Sequence, residues 1–252
     1  MKILGINISQ LTKQETTNRA QLFLSSGYGH TIFTPNPEML VKAQTDSYFV
    51  DVLNKGDINI CDGFGIKIAA WLKGQPVERI TGVDFMLELC RLAEQAGKSI
   101  FLLGSGNLEV IQRTRNNLQT QFPRLKIVGS HPGIDITETP TLQFDNLQNE
   151  RMLAEINQAN PDILFVAFGM GKQEKWIVEN IAKLPSIRIA MGVGGSFEYI
   201  SGTIPRAPRL LRKIGLEWVY RLFKQPQRMG RILNATVKFS WLVLTSKASV
   251  NT

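Results

Sequence analysis

The stretch "SIFLLGSGNLEVIQRTRNNLQTQFPRLKIVGSH", residues 99–131, decides the fold. "SIFLLG" is apolar on both faces of a strand, "GSG" breaks the run, "NLEVIQRTRNNLQTQF" is helical in propensity, and "KIVGSH" opens a second strand. Strand, glycine turn, helix and strand together make a parallel β-α-β unit. The alternation extends in both directions. Upstream lie the strand-like runs "KILGINI", "TIFTPN" and "INICD", and downstream "ILFVAFG" and "IRIAMGVG". The helix-like segments between them are "TKQETTNRAQLFLSS", "PEMLVKAQTDSYFVDVLNKG", "VDFMLELCRLAEQAG", "NERMLAEINQAN" and "KQEKWIVENIAKLP". This pattern predicts an α/β fold, a mainly parallel sheet with helices on both faces, and places any ligand at the carboxyl ends of the strands.

With 252 residues, 43% hydrophobic and 20% charged, the chain can bury a full core. Cys61 and Cys90 sit singly in apolar runs with no C-x-x-C, which fits buried thiols in a reducing cytoplasm. The start "MKILGINISQLTK" lacks the long apolar centre of a signal peptide, and no segment reaches the roughly 18 apolar residues of a membrane span. The net charge of +8 is unevenly placed: residues 201–252 hold ten Lys/Arg and one acidic residue, Glu217. Two parts are therefore expected, a core over 1–200 and a basic amphipathic appendage over 201–252. Residues 132–146, "PGIDITETPTLQFDN", read as an irregular, partly acidic loop.

Polar and glycine-rich residues collect where the strands end: Thr34, Asn36, Asp62, Gly104, Gly169 and Gly194 among them. Turn chemistry explains any one glycine, but their joint placement on one rim points to a substrate pocket lined by Gly104, Gly169 and Gly194. The G-x-G at 104–106 is a poor dinucleotide fingerprint, because Glu109 occupies the third glycine position and no acid ends "KIVGSH" to hold a ribose. With only His30 and His131, no D-x-D and no G-x-S-x-G, metal and serine-nucleophile chemistry have few parts to work with. Carboxylates at strand ends remain as general bases, and Asp62 stands out between the strand "INIC" and the opening "GFG". Its competing role is N-cap of the helix "GIKIAAWLKG", which spacing alone favours. In the tail, Arg221, Lys224, Arg228 and Arg231 align on one helical face if a helix continues through Pro226. Such unpaired cations suit phosphates or anionic lipid, or else a solvated helix on the core; no nucleic-acid module accompanies them.

Seven motifs in order, "TPNPEML", "CDGFGI", "ERITGVDF", "FLLGSG", "FGMGKQEKW", "GVGGSFEYISG" and "RAPRLLRKIGLEWVYRLFKQPQRMGR", are similar to those of the WecG/TagA/CpsF family of bacterial glycosyltransferases. The resemblance implies a Rossmann-like core, often self-associated, and a basic appendage that is mobile or folded over the site. It also implies inverting, metal-independent transfer of N-acetylmannosamine or a related hexose from a UDP-sugar to a polyprenyl-diphosphate-linked sugar on the cytoplasmic membrane face, in cell-surface polysaccharide synthesis. Matched by motif, Asp62 is the catalytic base, Thr34 and Asn36 belong to the substrate pocket, and Arg79 and Gln173 lie near the donor diphosphate. Arg212, Arg221, Arg228 and Arg231 fall in the appendage that meets the acceptor and the membrane. Gly171 stands where many relatives carry proline or another residue. A nucleotide-binding oxidoreductase and a non-enzymatic membrane or nucleic-acid module are the rival readings, the first resting only on the degenerate G-x-G.

Overall fold

The structure, a computed structural model, describes residues 1–139, 141–213, 219–220 and 229–246. An amino-terminal hairpin of β1 (Lys2–Ile3) and β2 (Ile6–Asn7) leads through α1 (Lys13–Leu24) into the central sheet. That sheet contains β3 (His30–Phe33), β4 (Ile58–Asn59), β5 (Ser99–Gly104), β6 (Lys126–His131) and, after the small hairpin of β7 (Thr137–Thr139) and β8 (Thr141–Gln143), β9 (Ile163–Ala167) and β10 (Ile189–Gly192). Its order is β4-β3-β10-β9-β5-β6 and every neighbouring pair is parallel. The chain winds outward from the centre in opposite directions, from β3 to β4 and from β5 to β6, the arrangement that opens a crevice at the strand ends between the two halves.

The strands β3, β10, β9 and β5 feed two cores by alternation. In β5, Phe101 and Leu103 face one side and Ile100 and Leu102 the other; in β9, Leu164 and Val166 oppose Ile163 and Phe165. The first side is covered by α2 (Pro37–Ala43), α3 (Ser47–Asn54), α4 (Phe64–Leu72), α7 (Asn146–Ala159) and α8 (Lys172–Asn180). The second is covered by α1, α5 (Gly82–Ala96), α6 (Leu108–Gln121) and α9 (Ser196–Ile200). Beyond α10 (Arg209–Lys213), α11 (Met229–Thr245) packs on α2 and α4 and buries Phe239 in the first core. With each buried Leu, Ile or Phe contributing about 1.5–3 kcal/mol, both faces of the sheet are committed to packing and only its rim is left for chemistry.

Local signals set the helix ends. Thr12 and Glu15 form a reciprocal capping box on α1, Thr81 caps α5, and Gly97 ends α5 at φ 65°. Three expectations need correction. The run "KILGINI" is a hairpin rather than one strand, because Leu4 (φ 48°) and Gly5 (φ 83°) make the left-handed two-residue turn that hairpins favour. The stretch 37–56 is two helices, since the Asp46 side chain accepts the Phe49 amide and starts a new one. Residues 132–146 are not all irregular, for β7 and β8 pair within them.

Gly104 shows how tightly the rim is built. At φ 110° its ideal Cβ would lie 2.6 Å from the Ala167 carbonyl oxygen, a backbone atom that cannot step aside. Gly104→Ala is expected to destabilise the fold by about 3 kcal/mol, combining backbone strain with overpacking. Urea denaturation of the two proteins measures it, and equal midpoints would contradict the stated close approach.

Candidate active site

Asp62 follows β4 and is fixed by the backbone around it. Its amide donates to the Pro35 carbonyl (3.3 Å), while Ile80 N–H donates to the Cys61 carbonyl (3.0 Å). The N-cap of α4 is Gly63 and has no side-chain cap bond, so Asp62 does not cap the helix that follows it. Its Oδ1 instead accepts from the Gly82 amide at 3.4 Å, at the amino end of α5. The carboxylate thus faces the positive pole of a 15-residue helix that begins 20 positions downstream. Gly63 is required here because a Cβ would sit 2.3 Å from Pro37 Cδ.

Thr34 follows directly on β3, is buried, and lies against Gly82, whose ideal Cβ would be 3.5 Å from the Thr34 Oγ1. Asn36 caps α2 by accepting the Met39 amide (3.0 Å) through Oδ1, so its NH2 is the part left to meet a ligand. Arg79 donates through Nε to the Asp62 carbonyl (2.8 Å) and through Nη1 to the Arg212 carbonyl on α10 (3.0 Å). Arg206 donates to Asp84 Oδ1 (2.8 Å) and to Thr81 Oγ1 (3.1 Å), and Arg212 Nη1 lies 3.9 Å from Asp84. Burial pushes the Asp84 carboxyl up, but the hydrogen bonds from Arg206 and Thr81 and the nearby guanidinium charges outweigh it and hold it below its ordinary range. Asp62, Thr34, Asn36, Arg79 and Arg212 are therefore one group, joined at the ends of β3 and β4.

A second group sits at the ends of β9 and β10. Gln173 is buried; its Oε1 accepts the Gly194 amide (3.0 Å) and its Nε2 donates to Glu174 Oε1 (2.7 Å). Both ends of the amide are engaged, so Gln173 holds the Gly194 turn in place. Gly169, at φ 86°, has open space where a side chain would be. At the end of β5 the amides of Ser105 and Gly106 already donate to the carbonyls of Ala167 (2.9 Å) and Pro132 (2.9 Å), so the G-x-G turn shapes the rim without presenting those donors to a phosphate. Arg221 and Arg228 lie outside the described residues, and Arg231 falls on α11.

Several charged residues went unnoticed in the sequence. Lys175, fully buried on α8, bonds Asp46 (2.6 Å) and Glu138 (2.7 Å), and Lys42 also reaches Glu138. Asp46 is 129 residues from Lys175 and Glu138 comes from the β7–β8 hairpin, so no local pattern announces the cluster. Thr81, Asp84 and Arg206 were equally hidden, although the Thr81–Asp84 capping spacing is visible in "TGVD". Among the described residues no three His, Cys, Asp or Glu side chains gather as a metal site.

The chain as a whole is similar to known proteins. The chain matches the glycosyl transferase WecG/TagA/CpsF family over residues 1–252. It is 30% identical over 251 residues to the N-acetylglucosaminyldiphosphoundecaprenol N-acetyl-beta-D-mannosaminyltransferase of Staphylococcus aureus strain MW2, covering 98% of this chain and 93% of that one. The enzyme of the same name from strain NCTC 8325 / PS 47 matches with the same identity and coverage.

Glu174 gives this rim a pH dependence. Complete burial drives its carboxyl up to about 7, against hydrogen bonds from Gln173 and from the Gly171 amide (2.8 Å). The folded chain keeps a proton that the unfolded chain, with an ordinary carboxylate pKa of about 4.3, has released. The stabilisation from that proton is complete below about pH 4 and is lost as pH rises through about 7. Glu174→Gln should flatten the fall in denaturation midpoint between about pH 5 and pH 8, removing a swing on the order of 3 kcal/mol. Parallel urea titrations of both proteins check this; the same slope in both would contradict it.

Proposed function

The chain belongs to the glycosyl transferase WecG/TagA/CpsF family, and on that premise we propose that it transfers a sugar from a UDP-sugar to a polyprenyl-diphosphate-linked sugar, with inversion and without a divalent metal. N-acetylmannosamine or a related hexose is the donor sugar of this reading. The names of the relatives, which specify a diphosphoundecaprenol-linked acceptor and an N-acetylmannosaminyl group, support it. So does one geometric observation above the others. Asp62 is a carboxylate at a strand end, not spent as the cap of its own helix and aimed at the amino end of α5 beside Thr34 and Arg79.

In this mechanism the acceptor hydroxyl oxygen attacks the anomeric carbon while Asp62 takes its proton, and the bond to the diphosphate oxygen breaks on the opposite side. Negative charge grows on the departing UDP. Arg79, held at the rim by two carbonyls, and Arg212 beside it bring positive charge to that region. Thr34 and the Asn36 amide flank the acceptor side; Gln173 acts on the donor side through Gly194, between the tight turn at Gly104 and the open turn at Gly169. The basic segment 201–252, with Arg212, Arg221, Arg228 and Arg231, meets the acceptor diphosphate and the anionic inner face of the membrane, where the self-associating protein works peripherally. Among the described residues no helix is long and apolar enough to cross a bilayer.

Asp62→Asn should lower kcat by about 10²–10⁴-fold while leaving the UDP-induced rise in melting temperature intact. Turnover is measured with UDP-sugars and a short-chain lipid-linked N-acetylglucosamine acceptor. Wild-type turnover in the variant, or no transfer from any UDP-sugar to that acceptor, would reject the reading.

A further inference from the structure

Single exposed apolar side chains are ordinary, but groups of them on touching elements are not. On α4, Ile66, Ala69 and Ala70 face the core while Ile68, Trp71 and Leu72 face outward, with Trp71 68% exposed. The neighbouring α11 packs inward through Ala235 and Phe239, and Phe239 approaches Gly65 of α4. At 100° per residue, Leu233, Val237, Trp241 and Leu244 lie within one stripe on the side of α11 opposite Phe239. Trp241 is 61% and Leu244 77% exposed. Both helices are thus apolar on the side that faces the core and again on the side that faces away from it.

The charges around these outward faces identify what covers them. Lys67 and Lys73 flank the α4 face and Lys238 the α11 face, all exposed, and neither helix contains an acidic residue. A second copy of the chain docked face to face would bring these lysines against their own kind. An anionic bilayer offers opposite charge to the rim, acyl chains to Leu and Val, and an interfacial layer suited to Trp.

We infer that α4 and α11 together form a lipid-seating surface, so that the sheet-bearing core itself rests on an anionic membrane through Ile68, Trp71 and Leu72, beyond the attraction of the C-terminal cations. α4 begins two residues after Asp62 and its nine residues rise about 13 Å, which sets the proposed base at about that distance from the seated Trp71. A sugar on a lipid-linked diphosphate is then met close to the headgroup layer. This rests on the proposed transfer and extends it to the partner surface of the same site, but the vesicle-binding measurement that decides it contains neither donor nor acceptor and so stands or falls separately.

The experiment is co-sedimentation of the full chain with phosphatidylcholine vesicles, with and without phosphatidylglycerol. The wild type should bind the anionic vesicles and leave the neutral ones. Trp71→Ser with Leu72→Ser should reduce the bound fraction constant at least about tenfold, and Val237→Ser with Trp241→Ser similarly, from the loss of two large apolar contacts. Circular dichroism melting shows whether each variant remains folded, and the α4 pair should keep wild-type transfer to a short-chain acceptor in vesicle-free buffer. Undiminished vesicle binding by a folded α4 pair overturns the inference. Equal binding of the wild type to neutral and anionic vesicles overturns it too. If the α4 pair instead turns an oligomer into a monomer at unchanged vesicle binding, the face is a self-interface and the inference is wrong.

Discussion

A parallel sheet covered on both faces leaves its polar groups almost nowhere to go. Here the inner strands β10, β9 and β5 alternate so strictly between two apolar cores that neither face can hold a polar side chain cheaply. Chemistry is confined to the rim where the strands end, and each loop there is shaped by what it must avoid. Gly104 yields to the Ala167 backbone and Gly63 to Pro37, while Gly169 keeps a volume open. The position of Asp62 follows from this constraint: a strand end whose carboxylate accepts from the amino end of α5.

Charge is handled in two ways along that rim. Inside, Lys175, Lys42, Asp46 and Glu138 neutralise one another beneath the β7–β8 hairpin, and burial pushes Lys175 down less than its bonds to Asp46 and Glu138 push it up. Such a buried cluster contributes little net stability, because desolvation offsets attraction; its effect is to make one seating of the hairpin much better than others. Outside, the arginines 79, 206 and 212 gather beside Asp62, bonding among others to carbonyls, a hydroxyl and Asp84. The first cluster fixes shape and the second sets the local field.

The core strands were legible because their apolar runs are long and bounded by glycine: "SIFLLG" and "KIVGSH" coincide with β5 and β6. The hairpin at Leu4–Gly5 was not, since a leucine in the left-handed region leaves no compositional trace. Nor was the break at Asp46, where the helical period continues across the new cap. Asp62 was singled out by elimination and by motif, yet its local partner was misjudged. Spacing pointed to the adjacent α4, whereas the carboxylate turns to α5, a contact set by the return of the chain after Ile80. Gln173 was found by resemblance alone, and its burial with both amide ends engaged has no signature in "GMGKQEKW".

The contact between Gly63 and Pro37 reaches beyond stability. Asn36 and Asp62 sit one residue from each partner of that contact, so the proposed pocket residue and the proposed base are registered against each other by a pair of atoms with no spare room. A side chain at 63 becomes tolerable only after the proline ring at 37 is gone, and removing the ring first loosens the start of α2 for no immediate gain. Single steps from this sequence therefore lead downhill at both positions. The route to a differently spaced pocket passes through a double change, which makes this corner of the rim an evolutionary bottleneck while the turn at Gly169, open on its free side, can drift.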